Sequence, residues 1–189
     1  FMKKHLIPLD KKIILFPGRY SDWKGQLKFI EVISEIKDKN LFFLFVGDDK
    51  NKNYLKKIHN KITLYKLGSD CRLLGMQENM PLIYKLSSII VSAPSKPEGF
   101  GRIVTEAMAM KKFVIAYNYG GVEEQIINLP EICKVKPKDQ NELIIKIKQA
   151  ANISKVKYQN ITNQSYEYTI NNFDKKKMIN KTISFYRSI

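Results

Sequence analysis

The chain has 189 residues, which allows one large domain with a sizeable core, or one domain with a tail. An apolar content of 44% with mixed charges describes a globular protein, and the longest apolar run, 41–46, is far too short to span a bilayer. The net charge of +15 leaves nucleic acid, an anionic membrane surface and a phosphorylated substrate open as partners, beside a plain lysine bias.

Arginine occurs only at 19, 72, 102 and 187, and three of these fall in loops that carry chemistry below. Cys71 and Cys133 stand far apart without a CxxC spacing, so neither a zinc knuckle nor a disulfide framework is indicated, and a reducing compartment fits. The opening Met2-Lys3-Lys4 faintly resembles a signal peptide, but Pro8, Asp10 and two lysines interrupt the hydrophobic stretch it would need. Phe1 ahead of Met2 reads as the start of a fragment or cloned domain.

Residues 13–16 form a short apolar run ending in Pro17-Gly18, the pattern of a buried strand. Leu27, Ile30, Ile33 and Ile36 recur at helical spacing and predict a helix over 24–38. A second strand is expected at 41–46, then a helix carrying Tyr54, Leu55, Ile58, Ile62 and Tyr65. A third strand at 72–74 stops at Gly75, a short helix covers 82–86, and a fourth strand follows at 89–92. Helix at 105–110, strand at 113–116, helix at 122–127, strand at 132–135 and helix at 141–151 complete the alternation. From about 154 the chain is polar and helical, and its last helix sets Phe173, Met178, Ile179, Ile183 and Tyr186 on one side.

Strand and helix alternate about six times with short connections, which gives an α/β fold, a doubly wound parallel sheet with helices on both faces. The domain proper runs over about 12–151, followed by a C-terminal helical tail over about 154–189. Seven of the nine glycines (18, 47, 75, 99, 101, 120 and 121) come after the carboxyl ends of predicted strands. Ligands bind at that edge in open α/β sheets, and so many glycines there point to a ligand approaching the backbone closely.

The densest signal is Pro97-Glu98-Gly99-Phe100-Gly101-Arg102, followed at once by a helix carrying Glu106. Glycines at a helix start expose N–H groups where the macrodipole favours negative charge, a place for a phosphate or a cluster of sugar hydroxyls. Glu98 and Glu106 flank that loop, and a carboxylate facing vicinal hydroxyls accepts two hydrogen bonds, each worth about 1.5–3 kcal/mol. Taken alone the segment also reads as a glycine turn with two surface carboxylates. The second signal is Gly18-Arg19 with Lys24-Gly25 after the first strand. A planar guanidinium and a compact ammonium near one helix start suit a diphosphate, and two solvated surface cations are the plainer alternative. The order is neither a Walker loop nor a dinucleotide GxGxxG. Asp48-Asp49 would cap the next helix in preference to contacting a ribose, and Ser95 suits a phosphate or a turn equally.

Together these signals resemble the C-terminal donor-binding domain of the GT-B glycosyltransferases, in the large retaining family 4. The resemblance rests on Pro17-Gly18-Arg19, Trp23-Lys24-Gly25-Gln26, Val46-Gly47-Asp48-Asp49, Leu74-Gly75 and Pro94-Ser95. It continues through the Glu98-x7-Glu106 motif with Glu106-Ala107-Met108-Ala109, and through Gly120-Gly121. The opening and the Phe-Gly-Arg in the motif look most like lipopolysaccharide-core or related cell-envelope sugar transferases.

The resemblance implies that Arg19 and Lys24 bind the diphosphate of a UDP- or GDP-sugar and stabilise the leaving nucleotide. Glu98 would contact the transferred hexose, beside Gly18, Gly99 and the backbone N–H groups of Phe100, Gly101 and Arg102. Glu106 would hold the ribose, the stretch from Arg72 through Leu74 to Gly75 would border the base, and Ile103 and Val104 would approach the diphosphate through their backbone. Transfer would retain anomeric configuration with no metal or cofactor. The acceptor would be a cell-envelope glycan or lipid-linked molecule held by an N-terminal domain that this chain lacks, so donor binding without transfer is expected. A cytoplasmic place, at times peripheral on the membrane, follows from such an acceptor. The sequence departs from the family at Lys111 and Phe113, where Gly and Pro are usual. The competing reading is a basic module for nucleic acid or a membrane surface, without catalysis. No spaced array of basic and aromatic residues supports nucleic acid.

Overall fold

Six apolar stretches pair side by side into one sheet. They are β1 (Lys12–Pro17), β2 (Leu41–Val46), β3 (Cys71–Leu74), β4 (Ile89–Ser92), β5 (Phe113–Tyr117) and β6 (Lys134–Val135). The computed structural model describes residues 1–48 and 50–188. The strand order is β3-β2-β1-β4-β5-β6, and every pair is parallel, in register Phe16 to Phe45 and Leu15 to Ile90, for example. Such strands are buried on both faces, so β2 reads Leu-Phe-Phe-Leu-Phe-Val with all six residues buried.

The helices are α1 (Gln26–Ser34), α2 (Lys52–Leu64), α3 (Met80–Leu86), α4 (Arg102–Ala109), α5 (Val122–Ile126), α6 (Gln140–Ala151), α7 (Lys155–Asn172) and α8 (Lys175–Arg187). α1 packs against α2 and α6 in one layer, and α4 against α5 and α7 in another. The rings of Phe16 and Phe29 stack at 4.3 Å where α1 meets β1. Glu31 of α1 ties its layer together, accepting from Lys61 of α2 and from Gln140 of α6 (2.9 Å).

Several boundaries differ from expectation for local reasons. α1 begins at Gln26, two residues late, because Asp22–Lys24 is a 3-10 turn closed by Gly25 in the left-handed region. β6 keeps only two residues, since Glu131–Cys133 coils into a 3-10 turn after Pro130. The cap of α2 is Asn51, whose side chain accepts from Tyr54 N at 3.0 Å; Asp48 turns back to Lys50 N, and Asp49 lies outside the described residues. Lys111, where the family usually has Gly, sits at φ +52 in a Schellman closure: Lys111 N donates to Met108 O and Lys112 N to Ala107 O. Its ammonium lies 4.6 Å from the Tyr166 ring, a cation–π contact that offsets part of the left-handed strain.

The C-terminal segment is two different things. α7 belongs to the core: Ile161, Thr162, Ser165 and Thr169 are buried, and the Tyr158 hydroxyl donates to Ser88 O at 2.9 Å. α8 buries none of its residues, and Met178, Phe185 and Tyr186 are exposed. Phe173, at the joint, packs edge-on to Phe100 (5.6 Å) and Tyr168 (5.7 Å) instead of joining the α8 face.

Candidate functional site

The chain leaves β1 to one side of the sheet and enters β4 after crossing to the other. The gap between these two neighbours, at their carboxyl ends, is the topological switch point where open α/β sheets hold ligands. Two loops form its walls, one after β1 and one after β4.

The first loop is shaped by Gln26, whose side chain is fully buried. Its amide donates to Gly18 O (3.2 Å) and Arg19 O (3.0 Å) and accepts from Ser21 N (3.4 Å). Tyr20, also buried, donates its hydroxyl to Leu74 O at 2.6 Å, anchoring the loop to the end of β3. Arg19 and Lys24 are thus carried on a backbone pinned from beneath. Ser95 N donates to Trp23 O (2.7 Å), joining the first loop to the second.

The second loop is held by main chain. Glu98 bridges to Gly120, and Gly121 N donates to Glu98 O at 2.8 Å. A methyl group on Gly121 would overlap the Gly99 carbonyl, so only glycine allows this approach. Gln125, fully buried, donates to Phe100 O, and its own carbonyl oxygen has no partner among the described residues. Gly101, at φ +79, is the N-cap of α4, so no side chain caps the helix and its first N–H groups open onto the gap.

Between the loops lies a cleft of about 530 Å³. Gly18, Arg19 and Lys24 line one wall; Glu98, Gly99, Phe100, Gly101, Arg102, Ile103 and Glu106 line the other; Met76, Gln77, Met80 and Tyr84 close the far end. A recess of about 310 Å³ continues past Lys24 and Glu98 to Trp23 and Ser21. Across the junction the Lys24 ammonium is paired with the Glu98 carboxylate, with side chains 26% and 13% exposed. At the other end the Tyr84 hydroxyl donates to Glu106 Oε2 at 2.9 Å. Burial, and then the Glu106 charge, push the Tyr84 phenol far above its usual range, so it is a neutral donor at any working pH. Among the described residues no three His, Cys, Asp or Glu side chains gather in a metal-sized cluster.

Three expected residues stand elsewhere. Arg72 directs its guanidinium to Leu6 O (3.4 Å), away from the cleft, and its Nε has no partner among the described residues. Leu74 is buried in the core. Both are held inside the strand ladder, paired with Leu44 and Val46, and only the residues past Gly75 emerge at the edge, so Met76 and Gln77 take the place expected for 72–75. Val104 is buried, and its N–H already donates to Gly101 O at 3.0 Å. Sequence reasoning did not assign Tyr84, Gln26 or Gln125. Gln26 stands in the Trp23-Lys24-Gly25-Gln26 run, the one available signal.

The family model described as "Glycosyl transferases group 1" matches residues 1–168. The chain belongs to this family. A glycosyltransferase from Rickettsia africae is 33% identical and superposes with a TM-score of 0.93, over 99% of this chain and 50% of that one. The Anabaena protein HepE, solved with UDP and glucose, shares the fold at 23% identity and a TM-score of 0.90, over 100% of this chain and 51% of that one. A trehalose synthase of Pyrococcus horikoshii is 31% identical over 146 residues, 73% of this chain and 35% of the relative. The chain therefore spans about a third of that curated relative and about half of each of the two solved proteins. It has the GT-B, Rossmann-like fold of a group 1 glycosyltransferase, and no helix among the described residues is long and apolar enough to cross a membrane.

Proposed function

We propose that this chain is the donor-binding half of a retaining glycosyltransferase, and that its cleft takes a UDP- or GDP-hexose. The observation that carries the reading is the convergence of Arg19, Lys24, the open start of α4, Glu98 and Glu106 on one cleft at the switch point. Lys24 and Glu98 are 74 residues apart in sequence and meet there. Arg19 and Lys24 face the diphosphate together with the N–H groups of Arg102 and Ile103, and they stabilise charge on the departing nucleotide without a metal or cofactor. Glu98 takes hydroxyls of the hexose, Glu106 takes the ribose, and Met76, Gln77 and Met80 border the base. The UDP and glucose bound by the Anabaena protein support a nucleotide-sugar ligand for this fold.

The acceptor is a cell-envelope glycan or lipid-linked molecule, bound by the part of the protein that this chain does not span. That acceptor places the enzyme in the cytoplasm, peripheral to the membrane face, where the +15 charge favours an anionic surface. The chain by itself binds donor and transfers nothing. Calorimetry with UDP, GDP and ADP tests the reading: one of the three should bind, and Glu106→Ala should weaken it by about 1.5–3 kcal/mol. A folded chain that binds none would overturn it, and steeply salt-dependent binding to any polyanion would favour the basic-module reading instead.

A further inference from the structure

Glu106 projects from α4 beside the cleft, and the residue itself is exposed. A carboxylate on an exposed glutamate turns freely about its side-chain bonds, and freezing it against a diol costs rotamer entropy that weakens binding. This one is not left free. Tyr84, on the short helix α3, is 2% exposed and lines the cleft, and its hydroxyl donates to Glu106 Oε2 at 2.9 Å. Oε1 has no hydrogen-bond partner among the described residues.

α3 is itself fixed. Asn79 caps its start by accepting from Leu82 N at 3.1 Å, Ile83 is buried, and Ser87 closes the far end by donating to Ile83 O at 2.8 Å. The phenol is therefore a rigid donor on a rigid element. The arrangement saturates one lone pair of one carboxylate oxygen and leaves the remaining acceptor capacity pointing where two vicinal hydroxyls can reach it. Upward displacement of the phenol's proton affinity, by burial first and then by the Glu106 charge, keeps that donor protonated.

We infer that Tyr84 is a positioning residue for the nucleotide's ribose: its O–H presets the Glu106 carboxylate so that the 2′,3′-diol meets a carboxylate already oriented. The inference rests on the donor-site reading above, and specifically on the ribose role of Glu106. In this role the Tyr84 hydroxyl acts on the ribose through Glu106, so its contribution exists only while both Glu106 and the diol are present.

The test is a double-mutant cycle on this chain, read by calorimetry with the tightest binder among UDP, GDP and ADP and with its 2′-deoxy analogue. Tyr84→Phe keeps the ring that fills the core and removes only the hydroxyl; a melting temperature within a few degrees of the parent establishes an intact fold. Tyr84→Phe should weaken the ribonucleotide about threefold to tenfold, the range of one hydrogen bond, and should narrow its preference over the 2′-deoxy form. In a Glu106→Ala background the same change should have no further effect. Equal losses in both backgrounds, or equal losses for both nucleotides, would overturn the inference and make Tyr84 a merely structural contact. Unchanged affinity in Tyr84→Phe, with Glu106→Ala still weakened, would overturn it while leaving the donor site standing. No nucleotide binding by the parent chain would remove both readings together.

Discussion

The ion pair between Lys24 and Glu98 makes a prediction of unusual sign, that neutralising a proposed substrate-binding carboxylate should tighten nucleotide binding. In the empty cleft the ammonium that would grip the diphosphate is held by a carboxylate. A phosphate entering must take Lys24 from Glu98 and then tolerate Glu98 as a neighbouring anion. Two unit charges about 4 Å apart attract by about 4 kcal/mol at an effective dielectric of about 20, whereas exposed pairs keep only about 0–1 kcal/mol. With side chains 26% and 13% exposed, this pair falls between those limits, at about 1–2 kcal/mol. Glu98→Gln keeps the shape, removes the charge and frees Lys24, so the dissociation constant for UDP or GDP should fall about 5-fold to 30-fold. The matching nucleotide-sugar should gain less, because an amide is a weaker acceptor for sugar hydroxyls than a carboxylate. Calorimetry with the nucleotide and its sugar conjugate at low and high salt reads both numbers, and added salt should shrink the difference between parent and variant. Unchanged or weaker UDP and GDP binding by a folded Glu98→Gln chain would refute the reasoning.

Three other outcomes follow from the packing. Gly121→Ala sets a methyl group into the Gly99 carbonyl, so the Glu98 loop must move; nucleotide affinity should drop at least tenfold while circular dichroism still reports the α/β fold, and retained affinity would contradict the close approach. Glu31 is partly buried, which raises its pKa, but hydrogen bonds from Lys61 and Gln140 and the charges of Lys61 and Lys28 outweigh this and hold it below its usual 4.5. Its contribution is therefore complete above the unfolded value and is lost as pH falls through the folded one; Glu31→Gln should flatten the acid limb of denaturant-measured stability below about pH 4.5 and lower stability at pH 7. Burial pushes the thiols of Cys71 and Cys133 up to about 12, so a disulfide reagent at pH 8 should label them only as fast as the chain unfolds, and rapid labelling in buffer would refute their burial.

The fold was legible wherever an element announces itself locally. β1, β2, β4 and β5 are unbroken apolar runs because both faces of each are covered, and their order follows from alternation with helices. β6 was overextended because Ile132 and Cys133 are as apolar in a 3-10 turn as in a strand. The cleft walls were legible because their glycines and charges cluster in two short segments. Arg72 was misplaced for a different reason: its type and position suit a phosphate or base, but nothing in residue order tells which side of the last ladder pair a strand residue faces. Tyr84 and Gln125 carry no local mark at all, and Gln26 is marked only by its place in the Trp-Lys-Gly-Gln run. The partners of Tyr84 and Gln125 are Glu106 and Phe100, on other elements, and only the assembled sheet brings each donor to its acceptor.

The contact of Gly121 with Gly99, and the left-handed cap at Gly101, mean that the walls of the cleft are built from main chain. Evolution therefore has a divided landscape here. Substitution of a wall glycine strains or displaces the backbone that every ligand atom leans on, so it fails at once and for every donor. Met76 and Trp23 are exposed on the rim, where each can be exchanged singly without disturbing the frame. A family built this way can drift from one base or sugar to another through its rim while its frame stays recognisable, and relatives with quite different named activities are the expected result.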